Sequence, residues 1–417
     1  MYEMSQEISV LLHLLRRNLR PQTDLLSEAE IKGVDWNAVM EEAAYQAVLI
    51  PAFDAAAPYK KLIPIEVYQR WFQRVSRGLA SNICVSRTQR ALTALLESKE
   101  YPYIILKGEA SASYYQKSEL RQLGDVDFLI NPKQQREIEE LLVAAGYVKV
   151  KDTVIQHVEF RKDGVCLELH FSLPGFPEGS ISQQVRNYMN TLFAQKKRIG
   201  SPGKEFYVPE EAHHGLILLL HMQNHMVEQG LGLRHLCDWA AFVEYTWQQS
   251  FWQEKLLPLL KKIGLYKYAA VMTQICADVF GTSCFDWDID KDPELCNAVL
   301  QDILIGGNFG RKDPVRSKAG LMVPKQRNDG NAKGRMYGLW KTVHRSTYNA
   351  YPIVRKIKIF HPVFDAYRIG LYLCRVVSGR RPSLAELIPL AESRTVVYQQ
   401  LHIFEVEECA LSDKTEG

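Results

Sequence analysis

The sequence contains no CxxC pair, no regular cysteine spacing, no internal repeat and no low-complexity tract. Its eight cysteines are scattered from Cys84 to Cys409. In a chain of 417 residues that scatter argues against a disulfide framework or a zinc ribbon. It predicts reduced, mostly buried thiols and hence a cytoplasmic protein. No run of about 18 uninterrupted apolar residues is present, so no membrane span is expected. The nearest approach, FDAYRIGLYLCRVVSG, is interrupted by Arg368 and Arg375. The N-terminal MYEMSQEISVLLHLLRRNLR has a short apolar run broken by His13, with its basic residues after the run, which is the wrong order for a secretory signal. Glutamate is missing from Arg311 to Arg381, where 17 Lys and Arg face 3 Asp. That segment is net +14, so the remainder carries −11 in a chain whose total is +3. Two readings stay open for it. One is a surface for a polyanion, either nucleic acid or anionic lipid. The other is a solvated basic face that pairs with the acidic remainder. No RNA-recognition motif or zinc finger accompanies it.

What is present is an ordinary globular balance, 47% hydrophobic and 24% charged, sufficient for a core and for two to three domains. Residues 5–100 read as helical, with a long uninterrupted helix expected from Ile65 to Leu96. At Tyr101 the pattern changes. YIILKG is a short apolar run suited to a buried strand, a helix is expected from Glu109 to about Lys117, and DVDFLI is a second strand. Asn131-Pro132 opens a further helix that stops at Gly146. VIQHVEF and VCLELHF flank Asp163-Gly164, a strong hairpin signal. After Pro209 the chain turns helical again. The expected fold is α+β: a small mixed sheet over 101–205, an N-terminal helical region over 1–100, a helical domain over 206–310 and a basic C-terminal region over 311–417.

The chemistry lies in LKGEASASYYQKSELRQLGDVDFLI. Alternate side chains of a strand share a face, so Val126, Phe128 and Ile130 point into a core while Asp125 and Asp127 point away from it, roughly 6.6 Å apart along the backbone. In the second hairpin strand Glu168 and His170 lie opposite the apolar face. If the two strands are neighbours, three carboxylates converge and raise one another's pKa. A divalent cation removes that penalty, and hard carboxylate oxygens suit Mg²⁺, which keeps substrate phosphates among its ligands. Upstream, Lys107-Gly108 ends a strand and opens a helix, a place where a phosphate can approach the backbone. Lys107 adds a point charge, and Arg121 offers a fork for a triphosphate or forms a structural ion pair.

The run ILKG…R..GDVDFLI…AAGY…H.E…LELHF, followed by H…H…GLRHLCDWAAF, resembles a bacterial family of uncharacterised nucleotidyltransferases within the polymerase-β-like superfamily. The resemblance implies that Asp125 and Asp127 bind two metal ions. It also implies that Glu168 is the third carboxylate, placed to help deprotonate an acceptor hydroxyl, and that Gly108 and its turn hold the triphosphate of an NTP such as ATP. The expected activity is Mg²⁺-dependent transfer of NMP to a hydroxyl of an unidentified acceptor with release of pyrophosphate. Two alternatives stay open: a degenerate nucleotide-binding protein, and a toxin-like enzyme modifying tRNA. The turn carries Lys-Gly where the superfamily commonly has Gly-Ser or Gly-Gly, with Ser111 and Ser113 as nearby hydroxyls.

Other polar groups are less specific. His170 either contacts a phosphate or the acceptor, or orients Glu168 through a hydrogen bond. His157 and Glu159 share a face and either join the cleft or form an ordinary hairpin surface. His213, His214, His221, His225 and His235 cluster in the helical region. His221 and His225 have zinc-like spacing, but Met222 stands where a zinc protease has its glutamate. The cluster is therefore expected to line the cleft or to be satisfied between helices. Arg234 and Asp238, one helical turn apart, are expected to pair.

Overall fold

A computed structural model describes residues 4–153, 157–177, 180–285, 287, 291–320, 340, 343–344, 346–348, 350–351, 353–354 and 357–406. Much of the basic 311–381 segment lies outside the described residues, as do the first residues of the VIQHVEF run. The fold is α+β, a small mixed sheet flanked by helices. Four N-terminal helices, α1 (Gln6–Leu19), α2 (Glu28–Ile31), α3 (Trp36–Tyr45) and α4 (Leu49–Ala55), lead to α5 (Ile65–Ser98). The sheet region then runs β1 (Tyr103–Ile105), α6 (Glu109–Ala112), β2 (Val126–Ile130), α7 (Gln135–Ala144), β3 (Val148–Thr153), β4 (His157–Lys162) and β5 (Val165–His170). Helix α8 (Ser180–Met189) and the ribbon β6 (Lys196–Ile199) and β7 (Phe206–Pro209) follow. Helices α9 (Glu211–Glu228), α10 (Leu233–Tyr245), α11 (Leu257–Ile263), α12 (Tyr266–Phe280), α13 (Pro293–Gly306) and α14 (Pro314–Ala319) build the helical part. It is joined by α15 (His361–Val377) and α16 (Leu384–Gln400).

The strand order is β1-β2-β5-β4-β3, with β2 and β5 parallel and the other pairs antiparallel. Asp163 (φ 51°) and Gly164 (φ 79°) make the two-residue turn between β4 and β5, both left-handed as that hairpin requires. Helix α6 is shorter than the sequence predicts. It ends at Ala112, and the Ser113 hydroxyl donates to Ala110 O at 2.7 Å, a local bond that competes with helix continuation. Asn131 accepts from Lys133 N–H at 3.1 Å, as a capping residue should, but a 3₁₀ turn (Pro132–Gln134) precedes α7.

Both faces of β2 are covered. Val126, Phe128 and Ile130 join Val85, Leu92 and Leu96 of α5 and Ile138 and Leu142 of α7 in one core. Leu129, on the opposite face, joins the helical core with Trp71, Leu216 and Trp239. Helix α5 therefore serves two interiors, with Val67, Trp71 and Val75 in the helical core and its C-terminal half in the sheet core. At 34 residues it is about 51 Å long. Near its middle, Asn82 accepts from Leu123 N–H at 2.8 Å and donates to Arg121 O and Glu119 O at 3.0 and 3.2 Å. That clamp fixes the loop entering β2.

Candidate active site

The polar end of β2 opens into a cavity of about 360 Å³ between the sheet and helices α9 and α10. The sheet supplies one wall. The parallel register sets Asp127 directly across from Glu168, so their side chains share a face, and Asp125 lies two residues before Asp127 on the same side. One carboxylate oxygen from each of Asp125, Asp127 and Glu168 lies within 4.8 Å of the other two. Asp127 is 2% exposed.

A lysine and a histidine meet these carboxylates. Lys107 Nζ lies 2.8 Å from Asp127 Oδ1. His170 Nε2 lies 3.0 Å from the same oxygen and 3.2 Å from Glu168 Oε2. Burial pushes Asp127 up, but Lys107 and the hydrogen bond from His170 outweigh it and hold this carboxyl well below the usual carboxylate range. Asp125 is pushed up to about 6, by the Asp127 charge first and by burial second. Burial opposes the charge on Lys107 and on His170, yet the neighbouring carboxylates hold both above their ordinary values. Asp127 is thus neutralised and Asp125 is not. This all-oxygen set, with one carboxylate still repelled by another, fits a hard divalent cation held by Asp125, Asp127 and Glu168. The turn before it is also suited to a ligand. Gly108 has φ 63° and ψ −114°, a backbone that side chains with a Cβ rarely adopt, and it starts α6 beside Lys107.

The helical wall carries Arg234 and three histidines beside Glu228 and Asp238. Arg121 lines the cavity, but its fork is closed on Asp238: Nε and Nη2 donate to Oδ1 and Oδ2, each at 2.7 Å. Tyr115 also donates to Asp238 Oδ1 at 2.7 Å. The expected Arg234–Asp238 pair is therefore not formed, because both oxygens of Asp238 are engaged by Arg121. Arg234 stays in the cavity wall with no carboxylate partner among the described residues, its guanidinium 5.7 Å from the centre of the Phe309 ring. Sequence spacing missed this, because i,i+4 proximity on one helix competes with a bidentate partner from a distant loop.

The histidines divide into two groups. His221, His225 and His235 line the cavity, as one of the sequence readings expects, with ring centres 4.1–5.5 Å apart. His213 and His214 lie elsewhere. His213 stacks on Tyr188, and His214 Nδ1 accepts from the Tyr114 hydroxyl at 2.7 Å. His157 lines the cavity and its Nε2 lies 3.7 Å from Glu159.

The sequence profile of a family described as "Uncharacterised nucleotidyltransferase" covers residues 32–281, which include the residues lining the cavity apart from Phe309. No curated protein matches the chain.

Proposed function

The chain belongs to the family of uncharacterised nucleotidyltransferases, and from that premise we propose that it moves NMP from a nucleoside triphosphate to a hydroxyl of an acceptor, with release of pyrophosphate. The observation that carries this reading is the convergence of Asp125, Asp127 and Glu168 in the wall of a cavity. Mg²⁺ is the cation this oxygen set favours, and when bound it would neutralise charge developing on the phosphate oxygens. Asp125, Asp127 and Glu168 would hold it.

The chain's own groups do the rest. Gly108 leaves the backbone before α6 open to a phosphate, and Lys107 places an ammonium at the same turn. The Glu168 side chain is 23% exposed, against 2% for Asp127, so it can reach a hydroxyl arriving from solvent. In the transfer the hydroxyl oxygen forms a bond to the α-phosphorus, the bond from that phosphorus to the bridging oxygen breaks, and pyrophosphate leaves with the electron pair. Glu168 accepts the hydroxyl proton. His170, bonded to both Asp127 and Glu168, orients the two carboxylates. Arg121 contributes through Asp238, keeping the loop before β2 in place beside the phosphate path.

The test is incubation with the four α-labelled nucleoside triphosphates, Mg²⁺ and cell extract, for the wild type and Asp127→Asn. Wild type is expected to transfer label to a product identified by mass, and the variant to lose on the order of 10²-fold or more. Equal labelling by both proteins would sink the proposal.

A further inference from the structure

We propose that Arg234 and His235, in the first turn of α10, form an anion-binding wall that receives the phosphate chain of the nucleotide across the cavity from the three carboxylates. The identity of the ligand rests on the nucleotidyltransferase reading. The preference for an anion stands on geometry alone.

Arg234 is the first observation. Its guanidinium makes no ion pair or hydrogen bond among the described residues, and its Nε is buried without a partner. A guanidinium keeps its charge throughout the accessible pH range, so a position in a cavity wall without a carboxylate is unfavourable until an anion arrives. The second is His235, which is 3% exposed. Gly232 N–H donates to its Nδ1 at 3.4 Å, which puts the proton of the neutral ring on Nε2, and that nitrogen has no acceptor. The helix end itself is not the site. The Leu233 and Arg234 N–H groups are taken by the side chain and backbone oxygens of Gln46, at 3.0 and 3.3 Å.

The wall is braced. Phe309, a non-glycine residue at φ 58° and ψ 31°, packs its ring 4.8 Å from His225 and 6.0 Å from His235 while facing Arg234. Residues held in that left-handed region persist where the surroundings over-determine them, commonly at ligand sites. Gly232 permits the close approach: a Cβ there would fall 2.7 Å from the Cβ of Asn308.

His221, His225 and His235 could in principle hold a zinc-class cation, since one nitrogen from each lies within 4.8 Å of the others. Two features favour the anion. Arg234 is a positive charge on the same wall with no carboxylate in direct contact among the described residues, which a dication would aggravate and a phosphate would cancel. And His235 presents a proton to the cavity where a metal needs a lone pair. The cavity thereby sets the guanidinium of Arg234 and the N–H of His235 across from the three carboxylates of the sheet, with Glu228 of α9 also in its lining, and this pairing of donors with a cation site matches a polyphosphate tail beside a metal-bound head.

The experiment is calorimetric titration of the full chain with inorganic tripolyphosphate in the absence of divalent cations. Wild type is expected to bind. Arg234→Gln and His235→Gln are each expected to weaken binding by roughly 10- to 100-fold, and Arg234→Lys by less. Arg234→Gln is also expected to melt no lower than wild type without ligand, because it removes an unpaired charge; a purely structural Arg234 would give a lower melting temperature. If Arg234→Gln fails to fold, Arg234→Lys and His235→Gln decide. The proposal is overturned if wild type does not bind tripolyphosphate, if the foldable variants bind as wild type does, or if Co²⁺ gives a tetrahedral visible spectrum that His225→Gln abolishes. Asp127→Asn separates the two readings. Tripolyphosphate binding retained by it, with no nucleotide transfer by wild type, supports the wall and removes the transferase reading. Transfer by wild type without tripolyphosphate binding does the reverse.

Discussion

Lys107 stands 2.8 Å from Asp127, and the pair is largely out of water. Lys107→Met would leave Asp127 with His170 alone. Removing one partner of a buried pair costs about 3–5 kcal/mol, so the urea midpoint in EDTA should fall accordingly. Mg²⁺ should restore part of it, since a second cation can take the place of the ammonium; no recovery at millimolar Mg²⁺ would count against the carboxylates as a cation site. His214 gives a pH prediction. Burial first, and Lys197 second, push this imidazole down to about 3, against 6.5 for the free side chain. The unfolded chain therefore takes up the proton first. Stability from this residue is complete above pH 6.5 and is lost as pH falls from there towards 3, at about 1.4 kcal/mol per pH unit. Denaturant unfolding at pH 7.5, 6 and 5 should show that decline, and His214→Gln should lessen its slope by about 1.4 kcal/mol per pH unit, the remainder coming from other buried imidazoles such as His225.

Among the elements, the loop into β2 depends on α5 through Asn82. Asn82→Leu would strand the Leu123 N–H and two carbonyls, with an expected loss of about 1–3 kcal/mol. Transfer activity should fall more than stability alone explains at a temperature where the variant is fully folded, because Asp125 follows that loop. Unchanged kinetics would mean that β2 positions Asp125 without the clamp. The elements also show what the sequence made legible. The apolar alternation of DVDFLI and VCLELHF, and the Asp163-Gly164 turn, located β2, β4 and β5. The order of the strands followed only conditionally, since pairing of β2 with β5 is a long-range event. Strand β3 (VKVKDT) and strand β6 (KKRI) escaped notice because they are lysine-rich, a common way to keep a strand from pairing with other chains. Arg121 and Arg234 were not separable by spacing: both are arginines near the motif, and only the folded path shows which one Asp238 engages.

At the scale of the whole molecule, none of the seven tryptophans belongs to the sheet core, yet α5 runs through both interiors. Leu167→Ala, in β5, should cost about 2–5 kcal/mol. If the shared helix couples the two cores, the midpoint followed by tryptophan fluorescence should drop by the same amount as the midpoint followed by circular dichroism. A tryptophan midpoint left at its wild-type value would mean that the interiors melt separately. The cavity belongs to this scale too, because one wall comes from the sheet and the other from α9 and α10, with neither complete alone. A rod common to both interiors resists modular exchange. Recombination that swapped the helical half for that of another protein would carry off part of the packing under the strands. New acceptor preferences would then arise by remodelling surface loops around a fixed chassis, and a split-protein reporter cut within α5 should reassemble only as a matched pair of halves.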